Sequence, residues 1–289
     1  MILDADLAIK DTARQIQANL NYLLPNGPSI NRGFVSAGIE RNTGRYGPFP
    51  TMIRDGRTIR PHFSLDRHGF ELLDAPTSVA NFANSAAIER ALDASLVVPT
   101  SWMLRTSGAI PPREKQEPYR HYGGLQPATG EVHVDTEPSR QAAYAQRMYA
   151  QVRPEGKGFK RFVISSIWRT FSPPPQDYPL AVCDTRSVRK DEGTPNVLWV
   201  VDQMPDDLLD PAIGDDNAQP LAAAIFRHSP DHRWWYFSRM ARDEVLLFKF
   251  HDSDRSVGWR VPHSAFWDGS LEGANTRESI ECRTIAFFE

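Results

Sequence analysis

The pattern of apolar and polar positions predicts a chain that is mostly β-strand with a few helices. Three segments have helical spacing or helical composition, and they are residues 5–24, 77–96 and 139–152. The first places apolar residues on one face and ends before Pro25-Asn26-Gly27-Pro28, a sequence that breaks helices. Thr77 or Ser78 would cap the second helix, and the third (SRQAAYAQRMYAQV) is helical by composition.

Strand-like stretches separated by turns occupy most of the remaining chain. Residues 29–75 are polar and strand-like, and further strands are predicted over 97–110, 161–171, 179–184, 196–202, 233–239, 244–250, 257–263 and 277–288. The 23 prolines disfavour a helical bundle, because proline interrupts helix interiors. We therefore expect a β-sandwich or barrel with helices packed outside. Residues 206–220 are acidic and read as a surface loop, and no linker separates two independent domains.

Composition and charge exclude several classes of protein. A formal net charge of −3 provides no broad basic field, so nucleic acid is not an expected partner. Cys183 and Cys282 are too few for a disulfide framework or a zinc site, which predicts a reducing compartment and a cytoplasmic location. The acidic start does not resemble a secretory signal, and no apolar stretch approaches the length of a membrane span.

The candidate chemistry begins with His133-Val134-Asp135. Glycine-rich dinucleotide and phosphate loops, HExxH and GxSxG are all absent from the sequence. In an extended segment His133 and Asp135 face the same side, so both can reach one metal ion. An imidazole and a carboxylate are two members of the 2-His-1-carboxylate set, which leaves positions on Fe(II) open. The motif also occurs by chance, in which case both residues would make structural hydrogen bonds.

A double-stranded β-helix oxygenase also needs a distal histidine and an arginine for its cosubstrate. His263 is the predicted third ligand, with His232 as its main rival and His251 as a further source of ambiguity. Arg277 lies 14 residues after His263 and shares a strand face with Ser279. A guanidinium and a hydroxyl on one face can bind a single carboxylate.

Several blocks of sequence together resemble the Fe(II)/2-oxoglutarate-dependent dioxygenases. More narrowly, the chain resembles the gibberellin-desaturase-like and AsaB-like natural-product oxygenases, a group that includes a cephamycin methoxylation component. The matching blocks occur in both halves of the chain, and they are LDRHGFELLDAPT (65–77), HVDTEPS (133–139), SIWRTFSPPPQDYPLAVCDTRSV (166–188), HRWWYFSRMARDEVLLFKFHDS (232–253), PHSAF (262–266) and RESIECR (277–283).

The resemblance implies a fold, two cofactors and a type of reaction. It implies a mainly β chain with flanking helices around a jelly-roll core. Residues 1–289 would form one oxygenase domain, with helices and supporting strands in 1–125 and the metal-binding core in 126–289. It implies Fe(II), 2-oxoglutarate and O2, acting on a small natural product. Hydrogen abstraction would end in hydroxylation, desaturation or cyclisation, and the sequence does not select among them. A homodimer is left open.

Some residues and alternatives stay undecided at this level. Arg283 has the same strand parity as Arg277 and competes with it for the carboxylate of 2-oxoglutarate. Arg169 is a further cosubstrate candidate, or an outward-facing charge, and Arg105 is a weaker pocket candidate. The remaining histidines are expected to have surface or core roles, and they are His62, His68, His121 and His228. Alternative functions are a cupin-like iron enzyme that does not use 2-oxoglutarate and a non-catalytic accessory protein on the same barrel.

Overall fold

The computed structural model describes residues 14–25, 31–36, 39–76, 94–109, 125–201, 203–210 and 221–289. Within these ranges the chain forms sixteen strands: β1 (Gln15–Leu23), β2 (Asn31–Ser36), β3 (Ile39–Asn42), β4 (Tyr46–Asp55), β5 (Phe70–Asp74), β6 (Leu96–Thr106), β7 (Gln126–Pro127), β8 (His133–Val134), β9 (Arg161–Thr170), β10 (Leu180–Cys183), β11 (Thr194–Val200), β12 (Leu221–Ile225), β13 (Trp234–Tyr236), β14 (Glu244–Asp252), β15 (His263–Ala265) and β16 (Glu278–Phe288). Two α-helices are described, α1 (Leu65–His68) and α2 (Gln141–Val152). Short 3-10 turns cover Arg57–His62, Pro138–Arg140 and Thr185–Ser187.

The strands form two sheets with one apolar core between them. The larger sheet has ten strands in the order β1-β4-β13-β10-β15-β8-β12-β11-β2-β3, and the smaller has six in the order β5-β14-β9-β16-β6-β7. Side chains from both sheets meet in a single buried cluster, with Leu20 and Trp234 from the larger sheet and Phe248 and Ile285 from the smaller. Burial of this apolar area is the main force that holds the sheets together.

The predicted helix over residues 5–24 is wrong where the structure describes it. Residues 15–23 form β1, which pairs antiparallel with β4, and residues 5–13 lie outside the described part of the chain. The segment QIQANLNYL alternates polar and apolar side chains from Gln15 to Tyr22, as a half-buried strand does. Ile16 and Leu20 fit both the helical and the strand period. Pairing with β4 at nine positions favours the strand, because the sheet gives its backbone groups hydrogen-bonding partners.

The predicted helix over 139–152 is confirmed, with its start at Gln141. A 3-10 turn precedes it, and the Glu137 side chain accepts a hydrogen bond of 3.0 Å from the backbone N–H of Ser139. Gln141, Ala145 and Tyr149 are buried and lie four residues apart, so they share one helix face. A second helix was predicted over 77–96, with its cap at Thr77 or Ser78. Residues 77–93 lie outside the described part of the chain, and Leu96 begins β6.

The strand predicted over 257–263 is wrong, because the strand in this region starts only at His263. Residues before it form a loop that packs against α1, where the N–H of Gly258 donates to the carbonyl of Asp66 at 2.6 Å. A Cβ at Gly258 would lie 2.9 Å from the backbone nitrogen of Gly69, so the close approach requires glycine. The other predicted strands are present with shifted ends. The alanine-rich strand β12 was not predicted. Of the surface loop predicted over 206–220, the structure describes residues 206–210, and Leu209 is exposed there.

Candidate metal centre and its pocket

Strand pairing brings together two histidines that are 130 residues apart in the sequence. β15 lies between β8 and β10 in the larger sheet, and His263 is directly opposite His133 in the antiparallel register. Their ring centroids are 4.3 Å apart. Directly opposed residues on neighbouring strands project to the same face of a sheet. Both imidazoles therefore point into the space between the two sheets, and both are buried.

Asp135 completes a cluster of three groups that can ligate a metal. It follows β8 and projects to the same side as His133, as the two-residue spacing predicts. Its Oδ1 lies 3.8 Å from Nε2 of His133, and its Oδ2 lies 3.5 Å from Nε2 of His263. One ligand atom from each residue falls within 4.8 Å of the other two. Two imidazoles and one carboxylate at this separation match the facial set that holds non-haem Fe(II).

The hydrogen bonds of the two histidines leave the correct nitrogen free for a metal. Nδ1 of His133 lies 2.7 Å from the carbonyl of Glu131, and Nδ1 of His263 lies 3.2 Å from the carbonyl of Val261. A carbonyl only accepts, so each Nδ1 carries the proton and each Nε2 presents a lone pair toward Asp135. Burial, with smaller effects from His263 and Arg105, lowers the pKa of His133 to about 3, which keeps the ring neutral.

Asp135 is ionised and offers one oxygen that has no protein partner. Burial acts to raise the pKa of Asp135, but the Arg283 guanidinium acts against it, and the pKa is held well below its usual value. Among the residues described, no hydrogen-bond donor reaches the buried Oδ2 of Asp135. Buried polar atoms are normally satisfied, so a carboxylate oxygen left over beside two imidazole lone pairs fits a divalent cation.

The rival histidines lie in other environments. His232 bonds Glu192 through Nε2 at 2.8 Å and the hydroxyl of Tyr22 through Nδ1 at 3.1 Å, which uses both ring nitrogens. His251 is stacked on Phe162 with a centroid separation of 5.3 Å. It comes directly after Phe250 on β14, whose ring stacks on His263. Within the described residues, the cluster that can hold a metal contains His133, Asp135 and His263 and does not include His251.

The other histidines take structural positions where they are described. His228 is exposed and stacks on Phe49 at 4.7 Å, and His62 is half-buried beside Phe63. His68 is buried, and its Nδ1 accepts from the backbone N–H of Ser64 at 3.2 Å. His121 lies outside the described residues.

A cavity extends from the histidines into the space between the sheets. The residues that line it are Arg105, Thr129, His133, Trp168, Leu180, His263, Ala265, Arg277 and Glu281. The lining therefore combines two imidazoles from the larger sheet with the guanidinium groups of Arg105 on β6 and of Arg277 directly before β16. Such a cavity suits a small anionic molecule that also reaches the metal position.

Arg277 lines this cavity, and both Arg277 and the nearby Ser279 are buried with side-chain polar atoms that have no partner among the described residues. Arg277 is 1% exposed, and neither its Nε nor its Nη2 has a hydrogen-bond acceptor among the described residues. The hydroxyl of Ser279 is also buried and unpartnered. Burial, reinforced by Arg105, lowers the pKa of Arg277 to about 10. A buried guanidinium with free N–H groups is costly unless a ligand supplies the acceptor, so this pair fits a carboxylate.

The other two arginines proposed for the cosubstrate are already occupied. Nη2 of Arg283 lies 2.9 Å from Oδ1 of Asp135, and its Nε donates to Glu281 at 2.6 Å. Arg169 donates to the carbonyl of Arg242 at 2.7 Å and to that of Ala75 at 2.9 Å. It is adjacent to Trp168 on β9 and so faces the opposite side from the cavity. We therefore leave Arg169 and Arg283 out of the carboxylate site.

Several residues that line the cavity were not predicted from the sequence, among them Glu281 and Trp168. Glu281 is 5% exposed. Its two-residue spacing from Ser279 on β16 was a usable signal. Trp168 pairs with Glu281 across the sheet, and the Arg277 guanidinium lies 5.7 Å from its ring centroid. Arg105 does line the cavity, and it donates to the carbonyl of Pro127 at 2.9 Å.

Comparison with solved structures defines the class of fold. The iron and alpha-ketoglutarate-dependent endoperoxidase NvfI superposes with a TM-score of 0.75 at 22% identity, covering 95% of this chain and 98% of that one. The mainly β jelly-roll fold with flanking helices is thereby confirmed as the fold of an iron- and 2-oxoglutarate-dependent oxygenase.

Comparison of sequences defines the family. A family model described as "YDMC: Oxidoreductase/YMDC permease-like domain" matches residues 20–287. Hydroxylase/desaturase asaB of Aspergillus flavus is 35% identical over 287 residues, which cover 96% of each chain. Hydroxylase/desaturase efuI of Hormonema carpetanum is 31% identical, with 85% of each chain covered. The Fe(II)/2-oxoglutarate-dependent dioxygenase nvfI of Aspergillus novofumigatus is 28% identical over 83% of this chain and 84% of its own.

The chain belongs to this family of oxidoreductases, whose members include hydroxylase/desaturases and an Fe(II)/2-oxoglutarate-dependent dioxygenase. The predicted resemblance and the predicted class of enzyme are confirmed at this level. In the part of the chain that is described, no helix combines the length and the apolar character that a membrane span needs.

Proposed function

We propose that this protein is a non-haem Fe(II)- and 2-oxoglutarate-dependent oxygenase of small natural products, with His133, Asp135 and His263 as its metal ligands. The observation that carries the proposal is the convergence of these three side chains on one point, with two imidazole lone pairs and a free carboxylate oxygen facing each other. Bound Fe(II), with 2-oxoglutarate and O2, supplies the oxidation by which such enzymes hydroxylate, desaturate or cyclise a substrate.

Arg277 and Ser279 are proposed to bind the carboxylate of 2-oxoglutarate that is remote from the metal. The support is that both side chains are buried with polar atoms that have no partner among the described residues, and that Arg277 lines the same cavity as His133 and His263. A charge-assisted contact from the Arg277 guanidinium would orient the cosubstrate. The backbone at this position is held, because its N–H donates to Ser107 Oγ at 2.8 Å. Trp168 and Leu180 supply apolar surface to the cavity wall.

The substrate class rests on the relatives. Three relatives carry names of hydroxylase/desaturases or of a dioxygenase, which supports a small-molecule substrate and O2 as partners. Residues 1–289 are proposed to form a single oxygenase domain. A homodimer and a cytoplasmic location stay predictions.

Metal binding by histidine variants tests the proposal directly. Co(II) titration without oxygen should show one site in the wild type and none in His133→Ala or Asp135→Ala. His251→Ala and His232→Ala are matched controls, because both remove a buried histidine outside the cluster. Retention of the site in His133→Ala would refute the assignment. Succinate formation that depends on 2-oxoglutarate and O2 separates the proposal from a cupin-like iron enzyme and from an accessory protein.

A further inference from the structure

Four residues at two-residue spacing lie on β16 or directly before it. Arg277 precedes the strand, and Ser279, Glu281 and Arg283 lie on it and share one of its faces. The first two form the proposed carboxylate site. The other two contribute to neither ligand set, although Glu281 is buried and Arg283 contacts a proposed ligand.

Arg283 links two carboxylates across the space between the sheets. Its Nη2 donates to Oδ1 of Asp135 at 2.9 Å, and its Nε donates to Oε1 of Glu281 at 2.6 Å. The side chains of Glu281 and Arg283 are 6% and 18% exposed, so water screens these contacts little. The guanidinium also lies 5.6 Å from the ring centroid of Phe250. Because its donors have a rigid fork geometry, contacts on two sides hold the guanidinium in one orientation.

The consequence for Asp135 is that its two oxygens are no longer equivalent. Oδ1 accepts from Arg283, whereas Oδ2 has no partner among the described residues and lies 3.5 Å from Nε2 of His263. We propose that Arg283 is a positioning residue, which holds Oδ1 so that Asp135 offers a single oxygen to the metal, and that Glu281 anchors Arg283. This inference rests on the proposed function of Asp135 as a ligand.

The arrangement has a clear chemical purpose. A 2-His-1-carboxylate set leaves room for a chelating cosubstrate and O2 only while the carboxylate supplies one oxygen. A carboxylate that is free to rotate can ligate through both oxygens and fill a further position. Groups that hydrogen-bond a ligating carboxylate therefore determine how it binds, as well as where it lies.

The sign of the effect on metal affinity separates positioning from simple charge. Arg283 is a cation close to the metal position, so repulsion alone would make its removal tighten metal binding. Loss of positioning has the opposite effect, because substitution of groups that hold metal ligands typically weakens binding by about 10–100-fold. Arg169→Gln is the control, since it removes the same charge from the neighbouring strand β9, where the guanidinium donates to the carbonyls of Arg242 and Ala75 and not to Asp135.

The experiment is a Co(II) titration in the absence of oxygen and 2-oxoglutarate, followed by the visible spectrum of bound Co(II). We expect Arg283→Gln to weaken binding by about 10–100-fold and to change the spectrum. Arg283→Lys should recover part of the affinity, because it retains one donor. Arg169→Gln should match the wild type in affinity and spectrum. Wild-type or tighter binding by Arg283→Gln overturns the inference.

Two further variants keep the test decisive. If Arg283→Gln does not fold, Glu281→Gln replaces it, because that variant keeps Arg283 and weakens only its anchor. We expect it to weaken Co(II) binding in the same direction, and unchanged binding would overturn the role of Glu281 and Arg283. Asp135→Ala tests the underlying site. If it binds Co(II) as the wild type does, the proposed function fails; if it loses the site, only the Arg283 inference is at stake.

Discussion

Replacement of Arg277 by methionine should stabilise the metal-free protein while abolishing its response to 2-oxoglutarate. Arg277 is 1% exposed, and two of its guanidinium nitrogens have no acceptor among the described residues. Each buried donor without a partner costs about 1–3 kcal/mol. The contact with Trp168 at 5.7 Å offsets about 1–2 kcal/mol of this. Methionine fills a similar volume without polar atoms.

The net gain in the free energy of unfolding is therefore about 2 kcal/mol. Domains of 150–250 residues shift their melting temperature by about 2–4 °C per kcal/mol, so a rise of about 4–8 °C is expected. The assay is thermal unfolding of the metal-free protein, followed by the same measurement with metal and 2-oxoglutarate without oxygen. 2-Oxoglutarate at 100 times its Kd should stabilise the wild type by about 2.7 kcal/mol. The variant should lose this increment, because Arg277 is the proposed contact for 2-oxoglutarate.

Arg169→Met is the control with the opposite expected sign. Arg169 is similarly buried on the neighbouring strand, but its guanidinium donates to the carbonyls of Arg242 and Ala75. Its loss leaves those acceptors without their donors, so the free energy of unfolding should fall by about 1–3 kcal/mol. If Arg277→Met lowers the melting temperature as Arg169→Met does, the reasoning that Arg277 lacks a partner is refuted.

Two further predictions concern groups outside the cavity. Burial, with a smaller effect from Arg255, lowers the pKa of His251 to about 4. Between about pH 6.5 and 4, therefore, only the unfolded chain binds this proton. The free energy of unfolding should fall as the pH falls through this window, by up to about 1.4 kcal/mol per pH unit. His251→Phe should flatten that slope in urea unfolding measured across this window, and an unchanged slope would contradict the assignment. Tyr22→Phe should lower the free energy of unfolding by about 2 kcal/mol, because Trp234 Nε1 at 2.9 Å and His232 Nδ1 at 3.1 Å lose a buried partner. A change below about 0.5 kcal/mol in chemical denaturation would show that these contacts contribute little.

Local spacing in the sequence determined those features that depend on neighbouring residues. The two-residue spacing of His133 and Asp135 places both on one side of an extended segment, whatever the rest of the fold. The two-residue spacing of Arg277 and Ser279 likewise places both on one side of an extended segment. The helix over 141–152 was also predicted from local sequence. Each of these rests on the repeat of a single element, which short segments of sequence carry in full.

Tertiary structure decided what depends on partners distant in the chain. Residues 15–23 became a strand because β4 provides a register of hydrogen bonds, although the spacing of Ile16 and Leu20 also fits a helix. His263 joins His133 only through the pairing of β15 with β8, and no local pattern records that pairing. The roles of Arg277 and Arg283 were not separable by parity. They differ because the Arg283 guanidinium lies beside Asp135 and Glu281, whereas two nitrogens of the Arg277 guanidinium have no acceptor among the described residues. Burial and partners are properties of the packed chain, since they depend on which distant groups share a space from which water is excluded.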